Sequence, residues 1–389
     1  MSSAKPRASA TGSRKEKHLE ICTDPSRFEI EGSGAGFDAV HFLHEALPEL
    51  SIPEVDPSVD FLGARLPSPL FISCMTGGSE GGFEANRLLA RAARELRIPV
   101  GLGSIRVLFR EPSLFDHFHV KPIAGDAPVL ANIGAVQVRD IDHGQMFELL
   151  RRLEVQALVV HLNPGQELFQ PEGDRDFRGL KEALKRLCGS APLPVIVKET
   201  GFGIRPSLSR ELLNAGAAYV DIAGSGGTNW ISVESYRLPE GQRGEADEFR
   251  DWGAPTALLL GASADLGGGL MASGGIRTGM DAAKAIAMGA DLVGLALPVI
   301  RAVKGGGVEQ VVRLYDGLAM TIRRVMALTG SRTVADLRRG TVWMEPPLSA
   351  AIEAFKRADS AAQAVRSSCR VRERLRSGIS ERDDSEGRG

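Results

Sequence analysis

Eight short apolar runs, each followed by a turn and then a stretch of helical periodicity, constrain this chain more than anything else in its sequence. They are PLFISC (69–74), IPVGLG (98–103), PVLANI (128–133), ALVVHL (157–162), PVIVKE (194–199), AYVDIA (218–223), GLMASG (269–274) and DLVGLA (291–296). A strand with one wet face alternates apolar and polar side chains. Continuous runs like these fit strands covered on both faces, as in parallel sheets flanked by helices. Helical patterns such as EANRLLARAAREL (84–96) and GMDAAKAIAMGA (279–290) lie between them, and 308–328 reads as a closing amphipathic helix. Eight units over about 230 residues have the count and size of a single-domain (β/α)8 TIM barrel. A doubly wound open sheet is the competing arrangement. Against it, no G-x-G-x-x-G follows the first run and no acidic residue is placed to hold a ribose.

Around the barrel domain, assigned to 14–365, residues 1–13 are small and polar, and 366–389 are charged with scattered Gly and Ser. Both ends are expected to be disordered extensions. A polar insertion from Thr228 to about Thr256 separates the sixth and seventh runs and is expected to lie over the barrel mouth. The net charge of -2 gives no global pull toward nucleic acid or membrane. The 45 glycines with only 5% aromatic residues suit tight turns and close backbone approaches to ligands. Cys22, Cys74, Cys188 and Cys369 lie far apart with no C-x-x-C pair, which reads as reduced thiols without zinc. With no signal-like apolar segment at the start and no run of membrane length, a soluble cytoplasmic protein is expected.

A barrel forms its active site at the C-terminal ends of its strands. Here those ends carry Cys74-Met75-Thr76-Gly77-Gly78, Ser104 and Arg106, Asn132, His161 through Glu167, Lys198-Glu199, Gly224 through Thr228, Ser273 through Arg277, and Ala296-Leu297. The segment G-G-I-R-T-G opens a helix near Met280. Its backbone N–H groups and helix dipole can cradle a phosphate, with Arg277 adding charge; the plainer alternative is a tight turn. A buried-strand lysine such as Lys198 is costly unless it meets an anion or acts as a nucleophile. It can form a Schiff base, sit beside the N1/O2 edge of a flavin, or pair with a neighbouring acid. His161-Leu162-Asn163-Pro164-Gly165-Gln166-Glu167 gathers a His, two amides and one carboxylate. A single carboxylate, completed by substrate phosphates, is a usual way to hold Mg²⁺; the alternative is a helix cap at Asn163 with Glu167 facing solvent. The run Arg14-Lys15-Glu16-Lys17-His18 reads by itself as solvated surface.

Taken in order, R-K-x-x-H, M-T-G-G, S-x-R, H-x-N-x-x-Q-E, V-K-E-x-G-x-G and G-G-T-N-W resemble the type 2 isopentenyl-diphosphate isomerases, a family of FMN barrels, from Arg14 to about Glu345. The resemblance implies conversion of isopentenyl diphosphate to dimethylallyl diphosphate with reduced FMN, Mg²⁺, NADPH as priming reductant, and a homo-oligomer (tetramer or octamer). It implies that Cys74, Met75, Thr76, Ser104, Asn132, Lys198 and Thr228 contact FMN. The FMN phosphate is expected at Gly275, Ile276, Arg277, Ala296 and Leu297. Arg14, Lys15, Ser104, Arg106, Asn163 and Gln166 are implied for the substrate, Lys198, Gln166 and His161 for catalysis, and Glu167 for the metal. Leu297 stands where many relatives have Arg, and Cys74 where Ala is common. An FMN-dependent 2-hydroxy-acid oxidase is the second reading, but it needs a His base on a late strand, where this chain has AGSGGT. A non-catalytic flavin-binding barrel is the third, and it has no use for the H-x-N-x-x-Q-E and R-K motifs.

Overall fold

The structure is a computed structural model that describes residues 10–75 and 77–383. Eight parallel strands close into a barrel in chain order. They are β1 (Leu70–Ile72), β2 (Val100–Ser104), β3 (Val129–Gly134), β4 (Ala157–Leu162), β5 (Val195–Glu199), β6 (Tyr219–Asp221), β7 (Leu270–Ala272) and β8 (Leu292–Leu295). Each lies inside one of the eight apolar runs, so the single-domain TIM barrel expected from the sequence is the observed fold.

The absence of alternation in those runs has a direct structural cause. One set of side chains (Phe71, Leu130, Val159, Ile196, Met271 and Leu292) fills the barrel interior. The intervening set, including Leu70, Ile72, Val129, Leu158 and Val293, packs outward against the helices. Fully burying side chains of this size stabilises by about 1.5–3 kcal/mol each. The glycine in DLVGLA is part of this packing: a Cβ on Gly294 would meet the Phe71 ring at 2.3 Å. A hairpin of 59–61 and 64–66 adds Phe61 and Leu66 to the interior cluster.

Two expectations need correction. The N-terminal segment expected to be disordered to residue 13 is helical from Ala10, and the helix Ala10–Thr23 is continuous with the R-K-x-x-H motif. It is held because Ile21 packs with Phe28, Leu297 and Ile300; residues 1–9 lie outside the described residues. At the other end, one helix runs from Pro346 to Asp383, through most of the segment expected to be disordered from 366. Its sequence from 348 to 377 has neither Pro nor Gly, and good helix formers propagate a helix once its start is packed. The start is packed by Leu348 and Ile352. Asp359 accepts from Ser207 N at 2.7 Å and Ser207 Oγ at 2.6 Å, and pairs with Arg205 at 2.9 Å. Residues 384–389 lie outside the described residues. A helix begins at Leu297 directly after β8 and breaks at Gly306–Gly307, beyond which the closing helix expected at 308–328 runs to Leu328.

The insertion after β6 is folded, with a helix at Trp230–Ser235, a second at Arg243–Asp247 and a third from Thr256. Among the described residues no helix is long and apolar enough to cross a membrane.

Candidate active site

A cleft of about 1530 Å³, open at its mouth, occupies the C-terminal end of the barrel. Every site residue predicted from the sequence and described by the structure lines this one cleft. Thr76 alone lies outside the described residues. Strand register explains the convergence. His161 is opposite Gly134 on one side and Lys198 on the other, and Lys198 is opposite Asp221. Asn132 is opposite Ser104. Polar groups from neighbouring strands therefore gather in a ring at the C-terminal end of the barrel.

Two members of that ring have fixed roles. His161 Nδ1 lies 2.7 Å from Asn132 Oδ1. Because the amide oxygen only accepts, Nδ1 carries the proton and Nε2 is left as an acceptor. Burial, followed by the positive charges of Lys198, Arg106 and Lys15, pushes the imidazole down to about 3. His161 is thus neutral near pH 7, with its Nε2 an oriented acceptor. Lys198 is buried, and its Nζ donates to the Glu199 carbonyl at 2.5 Å. The Glu199 carboxylate turns away and accepts from the amides of Gly201 (2.6 Å), Phe202 and Gly203 (3.1 Å). Among the described residues no carboxylate lies within ion-pair distance of Lys198, so the simple salt-bridge reading does not hold.

The H-x-N-x-x-Q-E segment enters the short helix Pro164–Phe169. Asn163 makes no side-chain cap there. Its Nδ2 instead spans Gln166 Oε1 and Glu167 Oε1, both at 3.1 Å. Glu167 is buried, not solvent-facing, and its Oε2 accepts from Asp174 N at 2.8 Å. Gln166 Nε2 donates to Glu234 Oε1 at 2.9 Å. Glu234 has a wholly buried side chain, an ion pair to Arg237 at 2.5 Å, and His18 Nε2 at 3.0 Å. Burial works to raise its carboxyl, but the bonds from His18, Gln166 and Arg237 prevail and hold it below its ordinary value. Sequence reasoning missed Glu234 and left His18 in a solvated run. A carboxylate in a polar insertion and a histidine in a charged stretch carry no local sign that they meet.

The mouth of the cleft is cationic. Arg14 reaches Glu172 only at 3.4 Å, and its Nε is buried without a partner. Neither Lys15 nor Arg106 has an acidic partner within 4.0 Å among the described residues. Burial, then the charges of Arg14 and Arg106, pushes the Lys15 ammonium down to about 7. A bound anion offsets both causes, so Lys15 takes up a proton as the anion binds. Affinity for inorganic diphosphate is therefore expected to strengthen as pH falls through about 7, where the free protein already carries the cation. Calorimetry across pH 6–8.5 with Lys15→Met as comparator checks this, because only the wild type should show the part due to the protein. Equal pH dependence in both proteins sinks the assignment.

At the opposite side, Gly274 and Gly275 adopt φ values of 90° and 74°. A Cβ on Gly275 would meet Ala35 Cβ at 2.6 Å and Gly226 C at 2.8 Å. The backbone N–H groups of Gly275, Ile276, Ala296 and Leu297 have no acceptor among the described residues. Two helices, Gly279–Ala287 and the one from Leu297, begin at this point with their positive ends inward. Unsatisfied amides at paired helix starts fit the phosphate of a cofactor. The Leu297 side chain is buried against Ile21, Phe28 and Ile300, so this residue offers its amide and no charge. Arg277 differs from expectation. Its guanidinium is bound by Glu31 at 2.8 and 2.5 Å, and Glu31 also holds Arg301 at 2.8 Å. Gly275→Ala is expected to abolish FMN retention, since the substitution forces a left-handed backbone and a collision together. Flavin absorbance after gel filtration reads the outcome, and a yellow variant refutes it.

Residues 166–344 match the model of the FMN-dependent dehydrogenase family. The isopentenyl-diphosphate delta-isomerase of Borrelia garinii is 40% identical over 343 residues, which cover 88% of this chain and 96% of that one. The chain belongs to the type 2 isopentenyl-diphosphate delta-isomerase family. The isopentenyl-diphosphate delta-isomerase of Halobacterium salinarum is 42% identical over 336 residues, 85% of this chain and 92% of its own. Among solved structures, a mandelate oxidase variant superposes with a TM-score of 0.60 at 20% identity, covering 85% of this chain and 94% of that chain. At that identity the likeness concerns the barrel alone. FMN is the cofactor of this group of barrels, and in this type 2 isomerase family member the glycine-built nest of free amides fits its phosphate.

Proposed function

We propose that this protein isomerises isopentenyl diphosphate to dimethylallyl diphosphate. The observation that carries the reading is the juxtaposition, in one cleft, of unpaired Lys15 and Arg106 with the buried carboxylate of Glu167. This set suits a diphosphate and its counter-cation, and leaves the ring of strand ends for an uncharged alkene.

In this reading Arg14, Lys15 and Arg106 bind the diphosphate, with Ser104, Asn163 and Gln166 completing the contacts. Glu167 supplies the protein's oxygen ligand to Mg²⁺, held in place by Asn163 and the Asp174 amide. Among the described residues no group of three metal-ligating side chains exists, so the substrate phosphates complete the ion's shell. Cys74, Met75, Ser104, Asn132, Lys198 and Thr228 surround the FMN ring, and Gly275, Ile276, Arg277, Ala296 and Leu297 its phosphate. Bound FMN, reduced by NADPH, supplies the acid/base chemistry that adds a proton to the alkene and removes one from C2.

The chain's own work is positioning and charge. The diphosphate does not react, so its binding energy is available to orient the alkene. The Lys198 ammonium stabilises negative charge at the ring edge. Neutral His161 and Gln166, itself held by Glu234, present fixed dipoles without competing for the transferred proton. An oxidase reading is less favoured, because the segment after β6 brings Ala223 and Thr228, and no histidine, to the cleft. A cytoplasmic homo-oligomer, tetramer or octamer, completes the proposal.

The test is anaerobic turnover of isopentenyl diphosphate with FMN, Mg²⁺ and NADPH, each omitted in turn. Dimethylallyl diphosphate formed only with all three supports the whole reading. FMN-loaded, reducible protein that makes no product overturns the substrate assignment.

A further inference from the structure

Beneath the ring of cleft residues lies a carboxylate that the proposed reaction does not use. Asp221 ends β6 and is 1% exposed. It faces Lys198 across one step of strand register. Ser273 Oγ, from the end of β7 and part of the cleft wall, lies 2.8 and 2.9 Å from its two oxygens. Burial pushes its carboxyl up, while the Lys198 charge, the Ser273 hydroxyl and the backbone N–H groups of Ala223 and Ser273 work the other way; Ala223 itself is held at φ 42° on the cleft wall.

A buried carboxylate is costly unless paired or richly hydrogen-bonded; Asp221 has the hydrogen bonds, and the Lys198 charge acts on it from beyond ion-pair distance. The charged and titratable groups that face Lys198 are few. Cys74 on β1 and His161 on β4 interact with it electrostatically. The Glu199 carboxylate on its own strand is turned to the amides of 201–203. Burial pushes the Cys74 thiol up to about 11, and His161 is neutral near pH 7. Asp221 is therefore the carboxylate whose charge opposes that of Lys198 at the floor of the cleft, one register step away and without a direct ion pair.

We propose that Asp221 is a positioning residue that sets the reduction potential of the bound FMN, by offsetting the charge of Lys198 beneath the flavin ring. The inference rests on the reading that places the ring over Lys198. With the Asp221 charge present the floor is less positive, and the anionic reduced ring gains only part of the stabilisation that Lys198 can give. Without its charge the floor is net positive. Reduced FMN then binds more tightly relative to oxidised FMN, and by linkage the potential rises.

The experiment is a dithionite titration of the FMN-loaded protein against a reference dye, comparing wild type with Asp221→Asn. The expected change is about a tenfold increase in the ratio of reduced to oxidised FMN affinity, equivalent to a rise of about 30 mV for a two-electron couple. Asp221→Ser, which keeps a partner for Ser273 and leaves room for water, gives a second measurement if the Asn variant does not fold. Both should move the potential upward. An unchanged or lowered potential in a folded, FMN-loaded variant overturns the proposal, including the case in which only thermal stability falls. If wild type retains no FMN, the cofactor reading fails first, so the two failures are distinguishable.

Discussion

Lys198→Ala is expected to lower turnover of isopentenyl diphosphate by about 10²–10³-fold while FMN remains bound, the scale found when one preorganised electrostatic contact is removed from a closed site. The expectation follows from what surrounds the side chain. Lys198 is buried at the end of β5 and has no carboxylate within ion-pair distance among the described residues; its one hydrogen bond is to the Glu199 carbonyl. With Asp221 beyond ion-pair distance, a buried cation whose one direct acceptor is neutral is poised for an anion that arrives from outside the protein. In the proposed arrangement the FMN phosphate is anchored elsewhere, at the amides of 275–276 and 296–297, so the variant should still be yellow. Its reduced flavin should lose stabilisation of the anionic form, visible in the absorbance of the dithionite-reduced protein. A folded, FMN-loaded Lys198→Ala enzyme with full activity rules this role out. Borohydride treatment in the presence of substrate separates the Schiff-base alternative, which predicts a covalent adduct at Lys198.

How much of this was legible in the sequence depends on whether the cause is local. PVIVKE and ALVVHL announce strands because both faces of each are buried, and that demand acts residue by residue along the run. Barrel topology then puts every strand end on one rim, so Asn132, His161 and Lys198 could be gathered without knowing a single distance. Glu234 was not legible. Its burial comes from Gln166 on the helix after β4, Arg237 on its own turn and His18 on the N-terminal helix, and no window of sequence contains all three. The same holds for Glu31, which engages Arg277 and Arg301 from far along the chain and alters what the G-G-I-R motif alone suggests. Helix lengths failed for a related reason. Composition marked the two ends as polar, but Ile21 and Ile352 anchor helices whose polar remainder follows by propagation.

Glu167→Gln is expected to raise the Mg²⁺ needed for half-maximal rate by at least about tenfold and to lower the rate at ordinary Mg²⁺ by about 100-fold, the range associated with disturbed metal coordination. The structure separates the metal role from a packing role. Glu167 is buried and uses one oxygen for Asn163 and the other for the Asp174 amide, which leaves lone pairs on both for a cation. Glutamine preserves the shape and can keep one of these bonds. Its NH₂ group then faces a second donor, and leaving one amide without an acceptor costs about 1–3 kcal/mol of stability. That cost is independent of Mg²⁺. A loss of activity that excess Mg²⁺ partly restores therefore reports ligation, whereas a loss that is flat across the titration, accompanied by a lowered Tm, reports the broken Asp174 contact. Wild-type Mg²⁺ dependence in a folded Glu167→Gln protein would remove Glu167 from the metal site. The diphosphate would then have to be held by Arg14, Lys15 and Arg106 without a protein-bound cation. The cationic excess at the cleft mouth makes that outcome physically possible, and the Mg²⁺ titration decides between the two.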